Sequence, residues 1–235
     1  MDRFSLLTIG IIAYVSVAIF LSGTIYRVVM WQQRSKRISA NNVPTKTREN
    51  ITLIQWLGDS RMGQLLIIAL LATALGLFLG HTRIFGDMSF VISIFGEDRL
   101  NHVGNILGTS LGLFLLAIVG YLLIRRLASG QKELSARSGY LPLLLILFLV
   151  LLGNYLRLVK PFGLEDYHAF AASLVVLDSA FPDAIAASPA RWALISHVFM
   201  ASLLFIYVPF SGFIPAVCDH ISKWLKCAGS NDKMP

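Results

Sequence analysis

The sequence predicts an all-α fold, an integral membrane bundle of five transmembrane helices. Of the 235 residues, 56% are hydrophobic and only 14% are charged, whereas about 45–50% apolar residues is usual in a soluble domain. Five long stretches also lack Asp, Glu, Lys and Arg, and a helix needs about 20 apolar residues to cross the hydrocarbon core. The sequence contains no repeat or soluble domain, so a single bundle, residues 1–235, is expected.

The five charge-free stretches define the predicted spans in chain order. They are Ser5–Tyr26, Met62–Thr82, Leu100–Ile124, Ser138–Leu156 and Trp192–Cys218. The first is longer than the apolar region of a signal peptide and has no small-x-small site after it, so we expect an uncleaved helix. The fifth is long enough to extend past the bilayer. A shorter apolar segment, Tyr167–Leu177, is expected to lie at the interface or to cap the bundle.

The basic residues predict the orientation of the bundle. Of the 20 Lys and Arg, 14 fall in Arg27–Arg61, Arg125–Arg137 and the tail after Cys218, and the other six lie on the opposite side. Because Lys and Arg accumulate in cytoplasmic loops, we expect the N-terminus outside and the C-terminus cytoplasmic in an inner-type cell membrane. Since the basic residues lie between apolar runs rather than on one solvated face, nucleic acid is not an expected partner.

Two of the five histidines are expected at matched depth in the outer half. His81 ends a span that runs outward, and His197 lies about one and a half turns into a span that runs inward. A histidine inside a span indicates a functional residue, although a lone one can also hydrogen-bond to a neighbouring helix. Two on different helices predict the axial ligands of a b-type haem. Gly80 either leaves room for the macrocycle or serves ordinary helix packing.

Other metal chemistry is disfavoured by the residue types near this pair. Zinc needs three or four ligands, and no intramembrane carboxylate or cysteine lies near the two histidines in sequence. Neither Cys218 nor Cys227 lies in a C-x-x-C-H motif, which excludes covalent c-type haem attachment.

Two of the remaining histidines and a glycine ladder each allow two interpretations. His102 and His168 flank the outer loops, either as solvated interfacial residues or as partners of a quinone carbonyl or a haem propionate. His220 is expected at the cytoplasmic surface. Gly104, Gly108 and Gly112 repeat every four residues along the third span, which favours close helix packing over close approach of a cofactor.

Residues in spans two and five carry a family resemblance. The fifth span reads SHVFMASLLFIYVPFS, with His197 twelve positions before Pro209, and LFLGHTRIFG surrounds His81. These segments resemble the last and second helices of the gamma subunit of respiratory nitrate reductase. AIFLSGTIYR in span one and IRRL in span three extend the resemblance along nearly the whole chain. SGYLPLLLILFLVLLGNYLR is more similar to the cytochrome b subunits of heterodisulfide-reductase-type and sulfite-reduction complexes in the same family.

The resemblance implies two stacked haems, each held by one histidine from span two and one from span five. The family's inner ligands correspond here to Leu71, ten residues before His81, and to Pro215, eighteen residues after His197. Leucine and proline cannot ligate iron, and His220 would have no second histidine in that half. We therefore expect one haem b per chain, on the outer side.

The resemblance also implies that quinol is oxidised near the outer haem and that electrons pass to partner redox subunits. This chain then has no catalytic residue of its own. Without the inner haem, the partner is either an outer-face iron–sulfur or c-type cytochrome subunit, or one whose cofactor reaches into the bundle. An outer partner also permits electron flow into quinone. The alternative is a cofactor-poor structural membrane anchor; a transporter or channel is disfavoured because no span holds a charged residue.

Overall fold

The computed structural model describes residues 2–41, 61–85, 93–94, 96–128, 136–159, 162–177 and 181–211, with the isolated positions 214, 217–218 and 222. Within these residues every regular element is a helix. They are α1 (Asp2–Asn41), α2 (Arg61–Phe85), α3 (Glu97–Ala128), α4 (Ala136–Leu158), α5 (Leu164–Val175), α6 (Asp183–Ala187) and α7 (Arg191–Phe210). The predicted all-helical class is confirmed.

Four of these helices are long and apolar enough to cross a membrane. The qualifying stretches are Thr8–Gln33, Asn101–Ala128, Tyr140–Leu158 and Arg191–Phe210. Helix α2 contributes a shorter apolar stretch, Ile68–Thr82, within its 25 residues. By length and composition the chain is therefore a multi-pass membrane protein, with four spans meeting the criterion where the sequence predicted five.

Two helix boundaries differ from the predicted spans. Helix α1 continues without a break beyond Tyr26 to Asn41, because its basic continuation contains neither proline nor glycine. The fifth span was expected to reach Cys218, and this expectation is wrong: α7 ends at Phe210, where the C-cap Ser211 is extended with φ −74° and ψ 160°. Helix-breaking Gly212 and Pro215 follow directly in the sequence.

The short helix α5 matches the segment expected at the interface, with an earlier start. It runs Leu164–Val175, and the Asp166 carboxylate accepts the backbone N–H of Gly163 at 2.9 Å, which caps its first turn. The helix packs against both α1 and α2. Tyr14 of α1 donates to the Val175 carbonyl at 2.7 Å, so α5 is fastened to α1 at its last turn.

The five long helices alternate in direction along the chain. Helices α1 and α7 run parallel, whereas α2 and α3, α3 and α4, and α4 and α7 are antiparallel. The contacts that fix these directions are Phe20–Phe205, Gly76–Leu111, Gly112–Asn154, Arg126–Tyr140 and Gly153–His197, together with a core cluster shared by Ile9, Leu156 and Leu194 and another that joins Leu66 to Leu122. The start of α1, the end of α2 and the start of α7 therefore lie at one end of the bundle.

The packing order around the bundle is an open arc. Helices pack in the order α1, α7, α4, α3, α2, and α5 connects the two members at the ends of the arc. We call the half that holds His81 and His197 the histidine half, and the other the opposite half. Each half has its own apolar core, around Phe170, Ile185 and Leu194 in the former and around Leu122 and Leu143 in the latter.

Candidate functional site

The exposed imidazole of His81 and the half-buried imidazole of His197 lie near each other within the arc. Their ring centroids lie 6.2 Å apart and the ring planes differ by 10°. His81 comes from the last turns of α2 and His197 from the second turn of α7, and these two helices are not neighbours in the packing order. The two rings thus approach each other although the helices that carry them do not pack along their lengths.

A backbone carbonyl fixes the orientation of each ring. His81 Nδ1 lies 2.7 Å from the Leu77 carbonyl oxygen of its own helix, and His197 Nδ1 lies 3.0 Å from the Leu149 carbonyl oxygen of α4. Because a carbonyl only accepts hydrogen bonds, each Nδ1 carries the proton and donates it. Neutral rings of this tautomer keep a lone pair on Nε2, which is the arrangement that metal-ligating histidines adopt.

Two glycines lie near the histidine pair, one in contact with His197 and one adjacent to His81 in sequence. A Cβ built on Gly153 of α4 would lie 3.1 Å from Cε1 of His197, so a larger residue there would displace the ring. A Cβ on Gly80 would meet no described atom within 4 Å. Close packing against another described helix therefore does not account for Gly80, and the reading that it leaves room beside His81 stays a prediction.

The spacing of the pair fits axial ligation of one metal ion. Two metal–nitrogen bonds of about 2 Å, with about 1 Å from each nitrogen to its ring centre, separate the centroids of two trans imidazoles by about 6 Å. The observed 6.2 Å matches this value. Offset-stacked rings also have centroids about 4.5–7 Å apart, so the separation agrees both with ligation of one metal ion and with stacking of the two rings. The residues present fit a haem between them.

The other histidines stay separate from this pair or lie outside the described residues. His102 on α3 and His168 on α5 are both exposed and both lie in the histidine half. Among the described residues, no group of three or more His, Cys, Asp or Glu gathers in a metal-binding arrangement. His220 and Pro215 lie outside the described residues, whereas Leu71 lies on α2 with an exposed side chain.

The glycine ladder of α3 receives two polar side chains from α4. Arg157 donates from Nη1 to the Gly104 carbonyl at 3.2 Å, and a Cβ on Gly108 would collide with its guanidinium. A Cβ on Gly112 would likewise collide with Oδ1 of Asn154. The expectation that the ladder serves helix packing is confirmed.

The partners of the ladder were missed by sequence reasoning. In the sequence, Arg157 is one of the six basic residues assigned to the outer side, and the charge and hydropathy patterns do not single out Asn154. A signal was present, since both stand at the end of an apolar span where a polar side chain has to find a partner within the bundle. Arg157 also acts on α5: burial raises the pKa of the Tyr167 phenol, and the Arg157 charge partly opposes that rise.

Comparisons with models of protein families, with curated proteins and with solved structures found no match to this chain. The functional argument therefore depends on the residues and their geometry.

Proposed function

We propose that this chain is a haem b membrane subunit of a respiratory oxidoreductase complex, related to the gamma subunits of nitrate reductase and to heterodisulfide-reductase-type cytochrome b subunits. The single observation that carries the proposal is the His81–His197 pair, with nearly parallel rings whose centroids lie 6.2 Å apart and with each Nδ1–H donating to a backbone carbonyl. A haem b bound between these rings would supply a one-electron couple within the bilayer.

The alternating helices support five membrane crossings in the proposal. Because α1 and α7 run parallel, an odd number of long helices has to cross between them. Crossings by α2, α3 and α4 would supply three, which supports a membrane crossing by α2 although its described apolar stretch is short. The distribution of Lys and Arg then favours an N-terminus outside and a C-terminus in the cytoplasm of a cell membrane. The histidine half faces outward in this orientation.

Quinol oxidation at the histidine half is the proposed reaction. Oxidation of one quinol to quinone releases two protons and two electrons; the protons leave on the outer side and the electrons pass to partner redox subunits. His102 and His168 are candidates for hydrogen bonding to the quinone, since both are exposed in this half and an imidazole ring can donate and accept hydrogen bonds. The partners would be iron–sulfur or c-type cytochrome subunits, where the substrate chemistry takes place.

A visible spectrum of the purified chain tests the proposal. We expect a Soret band and b-type α band in the native chain, and loss of both in His81→Ala and in His197→Ala. His102→Ala is the matched control, because it removes an exposed histidine of the same half outside the pair. A native chain without haem absorption would favour the alternative, a structural membrane anchor that only docks catalytic subunits. Haem retained in both single variants would contradict the ligand assignment.

A further inference from the structure

The two histidines of the pair are held in place in different ways. His197 donates to the Leu149 carbonyl of α4, and its ring contacts Gly153 of the same helix, so a neighbouring helix fixes its position. His81 is exposed and donates to the Leu77 carbonyl of its own helix. The position of the His81 ring relative to His197 therefore depends on where the end of α2 lies.

The packing of α2 into the core of the opposite half ends one turn before His81. The α2 side chains that pack against that core cluster are Leu66, Ala69, Leu70 and Leu77. Every residue from Phe78 to Thr82 is exposed. Besides α3, helix α5 packs against α2. Because α5 lies in the histidine half, its contact lies near the end of α2 that carries His81.

Helix α5 is in turn fastened to the start of α1 at two points. The Tyr14 hydroxyl donates to the Val175 carbonyl at 2.7 Å. A Cβ on Gly10 would lie 3.0 Å from Cδ2 of Leu177 and 3.6 Å from the Leu174 carbonyl oxygen. Leu177 has a φ of 55°, in the left-handed region that is unfavourable for a residue with a Cβ. A larger residue at position 10 would therefore displace the end of α5.

These contacts close a ring of helices around the histidine pair. Helix α7 carries His197 and packs against α1, α1 packs against α5, and α5 packs against α2, which carries His81. Metal–ligand distances in proteins vary by only about 0.2 Å. A displacement of the end of α2 by a fraction of an ångström would therefore oppose ligation by His81 and leave His197, held by α4, in place.

We infer that α5 is a clamp that holds His81 at the distance from His197 that one metal ion spans. Tyr14, Gly10 and Leu177 are its positioning residues, because they act on His81 through the position of α2. The inference rests on the proposed haem site and explains how its more exposed ligand is kept in register. Loosening the clamp should open the bond from His81 to iron.

The rate of carbon monoxide binding to the reduced holoprotein tests the clamp. A haem with two axial histidines binds carbon monoxide only while one of them has left the iron. Tyr14→Phe should bind it about two- to tenfold faster than the native chain, the range that the net contribution of one hydrogen bond allows. Gly10→Leu, which pushes α5 away from α1, should bind it about tenfold faster or more. Tyr14→Phe remains available if Gly10→Leu fails to fold.

Two matched controls separate the clamp from general effects of substitution. Tyr26→Phe removes a hydroxyl from the same helix in the opposite half, at a position 61% exposed. Gly120→Leu adds a side chain on α3 where a Cβ meets no described atom within 4 Å. Both should bind carbon monoxide at the native rate. A contact that only stabilises the fold would lower the unfolding temperature and leave this rate unchanged.

A distance measurement on the haem-free full-length chain tests the clamp without the cofactor. Leu79→Cys and Phe199→Cys place spin labels at positions 56% and 38% exposed, each two residues from a histidine and so on the other face of its helix. Cys218→Ser and Cys227→Ser remove the native thiols. Double electron–electron resonance in nanodiscs should give a broader distance distribution in Tyr14→Phe and Gly10→Leu than in the native chain or Tyr26→Phe.

The outcomes distinguish the inference from the proposed function. A native chain that binds no haem contradicts the haem site, and the spin-label distances then decide the clamp. Haem binding with native carbon monoxide rates in both Tyr14→Phe and Gly10→Leu overturns the clamp alone. Distances that broaden without faster carbon monoxide binding also contradict it, because α5 would then position α2 without holding the ligand. Equally fast binding in Tyr26→Phe would assign the effect to general loosening of the bundle.

Discussion

The two halves of the bundle are built from the same five long helices but carry different side chains where these helices approach each other. In the histidine half, two imidazoles lie near each other and Arg157 lies on the glycine ladder. In the opposite half, Leu122 and Leu143 are fully buried in an aliphatic cluster. The helix frame alone therefore does not create a cofactor site. Among the described residues, only the histidine half holds histidines that could ligate a metal ion.

The prediction with the largest expected effect on this comparison is the number of haems per chain. We expect one, because Leu71 and Pro215 stand where the cytochrome b family that the sequence resembles has its inner ligands, and neither side chain donates to iron. A pyridine haemochrome assay combined with amino-acid analysis gives the ratio. A ratio of two would show that the opposite half also binds haem, and the contrast between the halves would fail.

Much of this contrast follows from the sequence, for a physical reason. Whether a segment spans the bilayer depends on its apolar length, which is a property of consecutive residues. Depth follows from topology, so His81 and His197 were expected at one level, and their rings lie 6.2 Å apart. The five-span count stays a prediction, since the described apolar stretch of α2 is shorter than a full span.

Other features could not be predicted from the sequence, because they depend on how the helices are rotated against each other. The glycine ladder indicated a close approach but not its partners, Arg157 and Asn154, which lie more than 40 positions away. The end of α7 at Phe210 was also missed, because the apolar run continues past it to Cys218. Hydropathy measures the length of the apolar run and not the conformation of the backbone. The helix ends where the backbone changes conformation, at the extended Ser211 that follows Pro209 and Phe210.

Truncating the core of the opposite half should destabilise the protein without removing haem. Leu122 is 0% exposed, so Leu122→Ala leaves a cavity, and we expect a loss of about 1–3 kcal/mol. This expected loss of stability is below the usual range for a leucine in the core of a soluble protein. Lipid tails are nearly as apolar as the protein interior, so the transfer free energy lost with the side-chain atoms is smaller. Ile124→Ala, at a position 68% exposed, should cost close to nothing.

Thermal unfolding in detergent, followed by far-UV circular dichroism, measures the stability of Leu122→Ala and of Ile124→Ala. Haem content should equal that of the native chain in both. Loss of haem from Leu122→Ala at temperatures where its helices stay folded would mean that the two halves are coupled more tightly than their separate cores indicate.

Gly153→Ala should weaken haem binding with a smaller effect on the fold. Its Cβ would lie 3.1 Å from Cε1 of His197, so the ring has to shift by a few tenths of an ångström and its hydrogen bond to Leu149 lengthens. Substitutions that disturb the partners of a metal ligand cost about tenfold or more in affinity. Haem titration of the haem-free chain measures this, with Gly120→Ala as the control that meets no described atom. Equal haem affinities of Gly153→Ala and Gly120→Ala would contradict the position of the His197 ring against Gly153.

The smallest expected effect lies in the opposite half, at the end of α7. The carbonyl of Pro209 is one of the last in the helix and lacks an intrahelical partner, and Arg27 of α1 donates to it from Nε at 2.9 Å. Gly23 permits this approach, since a Cβ there would lie 2.6 Å from Cβ of Pro209. Arg27→Gln should therefore lower the free energy of unfolding by about 0.5–1.5 kcal/mol, the net contribution of one hydrogen bond.

Arg27→Lys separates the hydrogen bond from the charge at this position. Lysine keeps the positive charge but cannot reproduce the Nε donor, so a loss equal to that of Arg27→Gln assigns the effect to the bond to Pro209. Recovery of native stability in Arg27→Lys would assign it to charge near the membrane surface. In both variants the haem spectrum should match the native one, because Arg27 and Pro209 lie at the end of α7 away from His197. A shifted Soret band would mean that the α1–α7 contact positions His197 along the whole helix.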